Sequence, residues 1–192
     1  MTISFLEKQD IPEAARVLSL AMSHNPNRIA LFKGQGETER KGMEKDSLAS
    51  LSDLPGIVFV GSLNKQIVGV MRMVSCDGQK VSDMPTGTHD SETIRERKAL
   101  WFEEWARHDP QEPHWHLGPI AVLPAHQGRG IGTKLMNRFC KEVDACSAAA
   151  YLETDVALLV PFYERFGFEI TAESEILGVK NSYMWRSPIR ER

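Results

Sequence analysis

An α/β or α+β single domain on a mixed sheet is the fold class this sequence predicts, and three observations predict it. Strand-like and helix-like segments follow one another as β-α-(α)-β-β-(α)-β-α-β-α-β-β. The 192 residues suit one domain carrying a generous insertion. Hydrophobic residues at 42% and charged residues at 26% are those of a chain that buries its own core without disulfide or metal staples. The same composition excludes collagen-like, disordered and disulfide-scaffold classes.

Each element has a local reason. Residues 2–6 read as a strand. Asp10 is placed to cap a helix, with Pro12 in its first turn and Glu13 three residues on. Ile11, Ala14, Ala15, Leu18 and Met22 keep a helical period up to a stop near His24-Asn25-Pro26. Residues 27–53 are polar and mixed, with a short helix expected around Met43–Leu51. Two strands, 57–63 and 66–75, flank Asn64-Lys65, a tight hairpin turn. Residues 76–90 read as loop and 91–107 as a helix bearing Trp101, Phe102 and Trp105. The strand 115–122 contains Gly118 and Pro119, and the proline removes a ladder donor, so the pairing there must be interrupted. In the helix 130–147, the residues Ile131, Leu135, Met136, Phe139, Val143 and Cys146 form an apolar stripe. A strand at 151–154, a short helix at 161–166 closed by Gly167, and strands at 168–171 and 183–185 complete the chain.

Charge and cysteine content narrow the function. The net charge of −3 argues against a nucleic-acid binder. Three widely spaced cysteines, with no CxxC pair, suit a reducing cytoplasm. The first ten residues hold Glu7 and Asp10 and do not read as a signal peptide. No apolar run reaches the length of a membrane span.

The chemistry concentrates in Gln127-Gly128-Arg129-Gly130-Ile131-Gly132, between a strand and the best helix. Glycines let backbone N–H groups approach a ligand closely, and a helix N-terminus adds unpaired donors and a positive dipole end. Arg129 and Lys134 add charge, so a phosphate or pyrophosphate is the expected ligand. The Walker order fails, because Thr133 precedes Lys134. The dinucleotide fingerprint fits poorly in spacing, although Glu153 stands at the end of the next strand where that reading wants an acid. A nucleotide-dependent oxidoreductase therefore stays as a minor alternative, and a ligand-free glycine turn as another.

Ile120-Ala121-Val122-Leu123-Pro124 followed by Gln127-x-x-Gly130-x-Gly132 resembles the acetyl-CoA signature of the GNAT superfamily of N-acetyltransferases. Tyr151-Leu-Glu-Thr and then Pro161-Phe-Tyr-Glu-Arg-Phe-Gly-Phe168 resemble its closing motif. The likeness covers residues 114–185. Residues 1–75 match only as a pattern of elements, and 76–113 look like a variable insertion. Within the family, the stretch is most similar to puromycin N-acetyltransferase-type small-molecule enzymes. The resemblance implies a mixed, mostly antiparallel sheet with a splayed central strand pair and helices on both faces. It implies acetyl-CoA as co-substrate, with its pantetheine arm along Ile120, Ala121 and Val122 and its pyrophosphate on Gln127, Gly128, Arg129, Gly130, Ile131 and Gly132. The Val122 N–H would face the thioester oxygen and stabilise the developing oxyanion.

Transfer to an amine needs a base and an acid. Tyr163 stands where many members of the family place the tyrosine that protonates the CoA sulfur; otherwise it is a core aromatic. His116 occupies the place of a catalytic glutamate in histone-acetylating members, and His114 lies on the same strand face. Either imidazole suits a base at neutral pH, or is a satisfied structural histidine. Glu153 is the third candidate, or a carboxylate that holds loop backbone. His114-x-His116 lacks further ligands nearby, so no metal is expected. Leu159 replaces an asparagine that usually helps to hold the cofactor. Cys140 and Cys146 give little support to an acetyl-cysteine route, and Cys146 reads as core. Trp101 and Trp105 are candidates for walling the acceptor, against ordinary core packing. The expectation is direct transfer to a small-molecule amine in a ternary complex, by a cytoplasmic monomer or homodimer without nucleic-acid or membrane partners. A catalytically silent acyl-CoA sensor is the alternative from another class.

Overall fold

The computed structural model describes residues 1–78 and 91–189. Most of the loop expected at 76–90, and part of the insertion at 76–113, lie outside them. The elements in order are β1 (Thr2–Phe5), α1 (Ile11–Ala21), α2 (Pro26–Phe32), α3 (Glu37–Asp53), β2 (Ile57–Leu63), β3 (Gln66–Cys76), α4 (Glu92–His108), β4 (His114–Val122), α5 (Ile131–Ala145), β5 (Ala149–Thr154), α6 (Val160–Glu164), β6 (Glu169–Ile176) and β7 (Val179–Arg186).

The strands form one sheet in the order β1-β2-β3-β4-β5-β7-β6. Every neighbouring pair is antiparallel except β4 with β5. Helices cover both faces, with α1 and α5 each packed on β3 and β4. The apolar stripe of α5 (Ile131, Leu135, Met136, Phe139 and Val143) is buried against the sheet. Leu135 is fully buried, and its side chain lies close to Gly69 of β3. Leu135→Ala should therefore cost about 2–5 kcal/mol, read as a lower midpoint in urea unfolding with an unchanged slope.

Local readings and structure differ at several points. Asp10 makes no side-chain cap bond, because a short 3₁₀ turn over Lys8–Asp10 runs straight into α1 and leaves Asp10 with helical backbone; capping needs an extended one. Glu13 instead accepts the backbone N–H of Ile67 at 3.1 Å. The polar stretch after Pro26 holds two helices. Asn25 caps α2 by accepting the N–H of Arg28, and α3 runs seventeen residues on a stripe of only Met43, Ser47 and Leu51. Cys146 is exposed just past the end of α5 and is not core.

Candidate active site

The site forms where β4 leaves β5. The two strands pair only at His114↔Ala149, Trp115↔Ala150 and His116↔Tyr151. β4 then continues to Val122 paired with β3 alone. Its register against β3 slips between Met71 and Met73, opposite Gly118 and Pro119, as the missing proline donor requires. A backbone edge over Leu117–Val122, which carries Ile120, Ala121 and Val122, thus lies beside a wedge in the sheet.

The glycine loop follows directly. Gly128 and Gly130 hold left-handed backbone, with φ of +71° and +74°, which glycine adopts without strain. A Cβ at either would meet nothing within 4 Å, so the loop faces open space. The first bond of α5 runs from the Lys134 N–H to the Gly130 carbonyl at 3.1 Å. The N–H groups of Ile131, Gly132 and Thr133 therefore have no partner within the helix. Gln127 donates its side-chain amide to the Val122 carbonyl at 3.0 Å and ties the loop to the end of β4. These features fit a pyrophosphate. Among the described residues, no three His, Cys, Asp or Glu side chains converge on a possible metal ion.

Two of the sequence candidates form one unit. His116 Nε2 donates to Glu153 Oε2 at 2.8 Å, across 37 residues of chain. Glu153 has a side chain only 4% exposed, while that of His116 reaches solvent at 21%. Burial alone pushes the His116 imidazole down, but the charge and hydrogen bond of Glu153 outweigh it and the net shift is upward. His114 behaves differently. Burial pulls it down, and its Nδ1 donates to the Glu112 carbonyl at 2.8 Å. Its ring meets Tyr151 and Trp185 edge-on.

Tyr163 is buried on α6 beside the rings of Phe162 and Phe168. Phe162 lies 3.6 Å from where a Cβ on Gly132 would stand, so α6 abuts the glycine loop. Burial, then the charge of Asp155, push the phenol far above its usual range. It keeps its proton at neutral pH.

The face of His116 holds residues that the sequence reading missed. Tyr183 lies opposite Glu153 in the β5–β7 register. The His108 ring stacks on Tyr183 at 4.1 Å, and the Tyr151 hydroxyl donates to the His108 carbonyl at 3.2 Å. The end of α4 is thereby fixed over this face. Nothing in residue spacing announces a contact set by tertiary packing. Trp101 packs with Leu31 and Ile176 in a second small core, with Trp105 against it and the Arg28 guanidinium 5.4 Å over the Trp101 ring.

Among the described residues, β4-α5-β5 is the one parallel βαβ unit in an otherwise antiparallel sheet, unlike the doubly wound parallel sheet of a dinucleotide fold. Residues 19–168 match the Acetyltransferase (GNAT) family. A Salmonella typhimurium L-methionine sulfoximine/L-methionine sulfone acetyltransferase is 36% identical over 64 residues, 32% of this chain and 37% of that protein. A Corynebacterium glutamicum structure described as histone acetyltransferase HPA2 and related acetyltransferase superposes with a TM-score of 0.73 at 21% identity, over 99% of this chain and 97% of that one. A Brucella melitensis GNAT-family acetyltransferase in complex with acetyl-CoA gives 0.57 at 18% identity, over 97% and 86%. These structures share the fold. Nothing in the matches specifically supports the puromycin-type likeness.

Proposed function

The chain belongs to the Acetyltransferase (GNAT) family, as an acyltransferase that uses acetyl-CoA, and from that premise we propose that it passes an acetyl group directly to a small-molecule amine with both substrates bound together. One observation carries the reading. β4 parts from β5 immediately after His116, so the His116–Glu153 pair, the free strand edge and the glycine loop follow one another along the chain.

Acetyl-CoA supplies the activated thioester. Ile120, Ala121 and Val122 would offer their edge to the pantetheine arm, and Gln127 through Gly132, with Arg129, would hold the pyrophosphate. The Val122 N–H is the donor aimed at the acyl oxygen. An alkylamine has a pKa of about 10 and arrives as ammonium. His116 takes that proton on Nδ1, since Nε2 is committed to Glu153. Glu153 fixes the tautomer and steadies the imidazolium. Tyr163 gives its proton to the departing sulfur. His114, committed to a carbonyl, keeps the wall of the site. Trp101 and Trp105 frame α4 over the acceptor face. The three free thiols suit a cytoplasmic protein, and on this reading the chain acts as a monomer or homodimer.

Thermal shift with acetyl-CoA, CoA and NAD(P), followed by free-thiol release against a panel of amines, tests the reading. A saturating ligand at 100 times its Kd adds about 2.7 kcal/mol. A shift with NAD(P) alone ends it; a shift with CoA but no turnover of any amine favours the silent sensor. Tyr163→Phe should lower kcat by roughly 10²-fold with the acetyl-CoA Kd unchanged, and full retained activity removes Tyr163 as the acid.

A further inference from the structure

Glu153 is a buried carboxylate with an oxygen to spare. Its Oε2 takes His116 at 2.8 Å, and its Oε1 has no hydrogen-bond partner among the described residues. A buried acceptor in this state needs a physical reason. A donor stands nearby. Tyr151 projects from the same face of β5 two residues earlier, and its hydroxyl comes within hydrogen-bonding reach of the Glu153 carboxylate. It donates instead to the His108 carbonyl at 3.2 Å. A phenol has one proton to give, so the two acceptors compete for it.

The end of α4 explains the outcome. His108 is its last residue, so the His108 carbonyl has no partner within the helix and stands at the negative end of the helix dipole. Side chains pin that carbonyl over Tyr151. The His108 ring stacks on Tyr183 of β7 at 4.1 Å, and its Nε2 donates to Glu104 Oε1 at 3.1 Å. Glu104 comes within hydrogen-bonding reach of Ser174 on β6, whose Oγ pairs with the Tyr183 hydroxyl at 2.8 Å. Tyr151 and Tyr183 are both buried, which keeps the arrangement out of solvent.

Building on the acyl-transfer reading, we propose that His108 is a positioning residue for the base: it fixes the end of α4 where the helix draws the Tyr151 hydroxyl away, and so reserves the Glu153 carboxylate for His116. A carboxylate that accepts a second donor has its charge partly satisfied there and grips the first less firmly. Released from α4, the Tyr151 hydroxyl would turn to Glu153 Oε1. The hold on the His116 imidazolium would weaken, and His116, which Glu153 raises, would titrate at lower pH. Other groups act on the same imidazole. Asp109, just past α4, raises it, and Arg72 on β3 lowers it. His114 on β4 feels its charge, while Cys76 on β3 and Tyr183 on β7 feel that of Glu153. Asp109 would also shift with a freed α4, and a double variant separates its part from that of Tyr151.

The test follows the histidine ring signals by NMR across pH in the full chain, with His116→Ala assigning His116. Tyr151→Phe should leave the His116 titration in place, because the hydroxyl does not serve Glu153. His108→Ala should lower it by about 0.5–1 pH unit, and adding Tyr151→Phe to that variant should restore most of the loss. If His108→Ala does not fold, Glu104→Ala, which drops the links to His108 and Ser174, should give the same pattern. The acid limb of kcat/KM in thiol release should move with the NMR titration. A titration that rises in Tyr151→Phe, stays put when α4 is loosened, or stays low in the double variant overturns the proposal. The titrations need neither acetyl-CoA nor an amine, so the two readings fail separately. The expected shifts without thiol release from acetyl-CoA leave the His108 arrangement standing and end acyl transfer, whereas efficient thiol release with an unmoved titration does the reverse.

Discussion

Gly130→Glu should abolish acetyl-CoA binding in a protein that still folds. The left-handed backbone at this position, φ +74°, costs a side chain about 1–2 kcal/mol. No neighbour lies within 4 Å of a Cβ there, so packing adds nothing further. The anchor of α5 is its buried stripe, and a carboxylate near a helix N-terminus is electrostatically acceptable to the helix itself. The loss falls on the ligand. The new side chain fills the space that the pyrophosphate needs and sets an anion against an anion. The thermal shift given by acetyl-CoA should vanish while the unliganded melting temperature drops only modestly. Gly130→Ala separates the two causes: it carries the strain without the charge and should weaken binding far less. Unchanged affinity in the glutamate variant would remove the loop as the pyrophosphate site.

The parts of this site that were legible in the sequence are those written in local backbone chemistry. Asn64 and Lys65 both take positive φ, 48° and 68°, in the hairpin turn that their position between two β-rich runs required. The glycine loop and the stripe of α5 are equally local. So was the trouble at Pro119, because a missing donor interrupts a ladder wherever it falls. Helix α3 was legible only in its middle, around Met43–Leu51, since it buries only Met43, Ser47 and Leu51 and its flanking turns carry no apolar row. Helix α2 left a usable signal in Asn25-Pro26, a cap followed by proline at the first helical position, which was read only as a stop. Strand β6 runs longer than expected because it is largely solvent-facing and carries Glu169, Glu173 and Glu175, and β7 because its opening Val179 is followed by the polar run Lys180, Asn181 and Ser182.

Three separate candidates, His116, His114 and Glu153, stood open as the base for a different reason. The parallel register of β4 on β5 puts His116 beside Tyr151, and Glu153 two residues further on the same face. No spacing rule encodes that register. Once it is known, two of the candidates collapse into one hydrogen-bonded pair, and the third is committed to the Glu112 carbonyl.

The pair has a pH signature that separates it from His114. A base works only when neutral, so kcat/KM falls as pH drops through its pKa in the folded enzyme. Glu153 holds His116 above the ordinary 6.5 in spite of burial, which puts the acid limb above that value. Burial instead takes His114 below 6.5, and a profile governed by it would stay flat to lower pH. His116→Ala should cost about 10²–10⁴-fold in kcat/KM and remove the limb. In Glu153→Gln, the charge that raises the imidazole is gone and desolvation remains, so the limb should move to lower pH. The plateau should fall as well, because the amide cannot stabilise the imidazolium. Comparing variant and parent with the same amine cancels the acceptor's own ionisation. Tyr163, pushed far up by burial, adds no basic limb in the accessible range. A plateau that falls with no movement of the limb would leave Glu153 a merely structural part. A limb below 6.5 in the parent enzyme would hand the proton to His114 and overturn the assignment of His116.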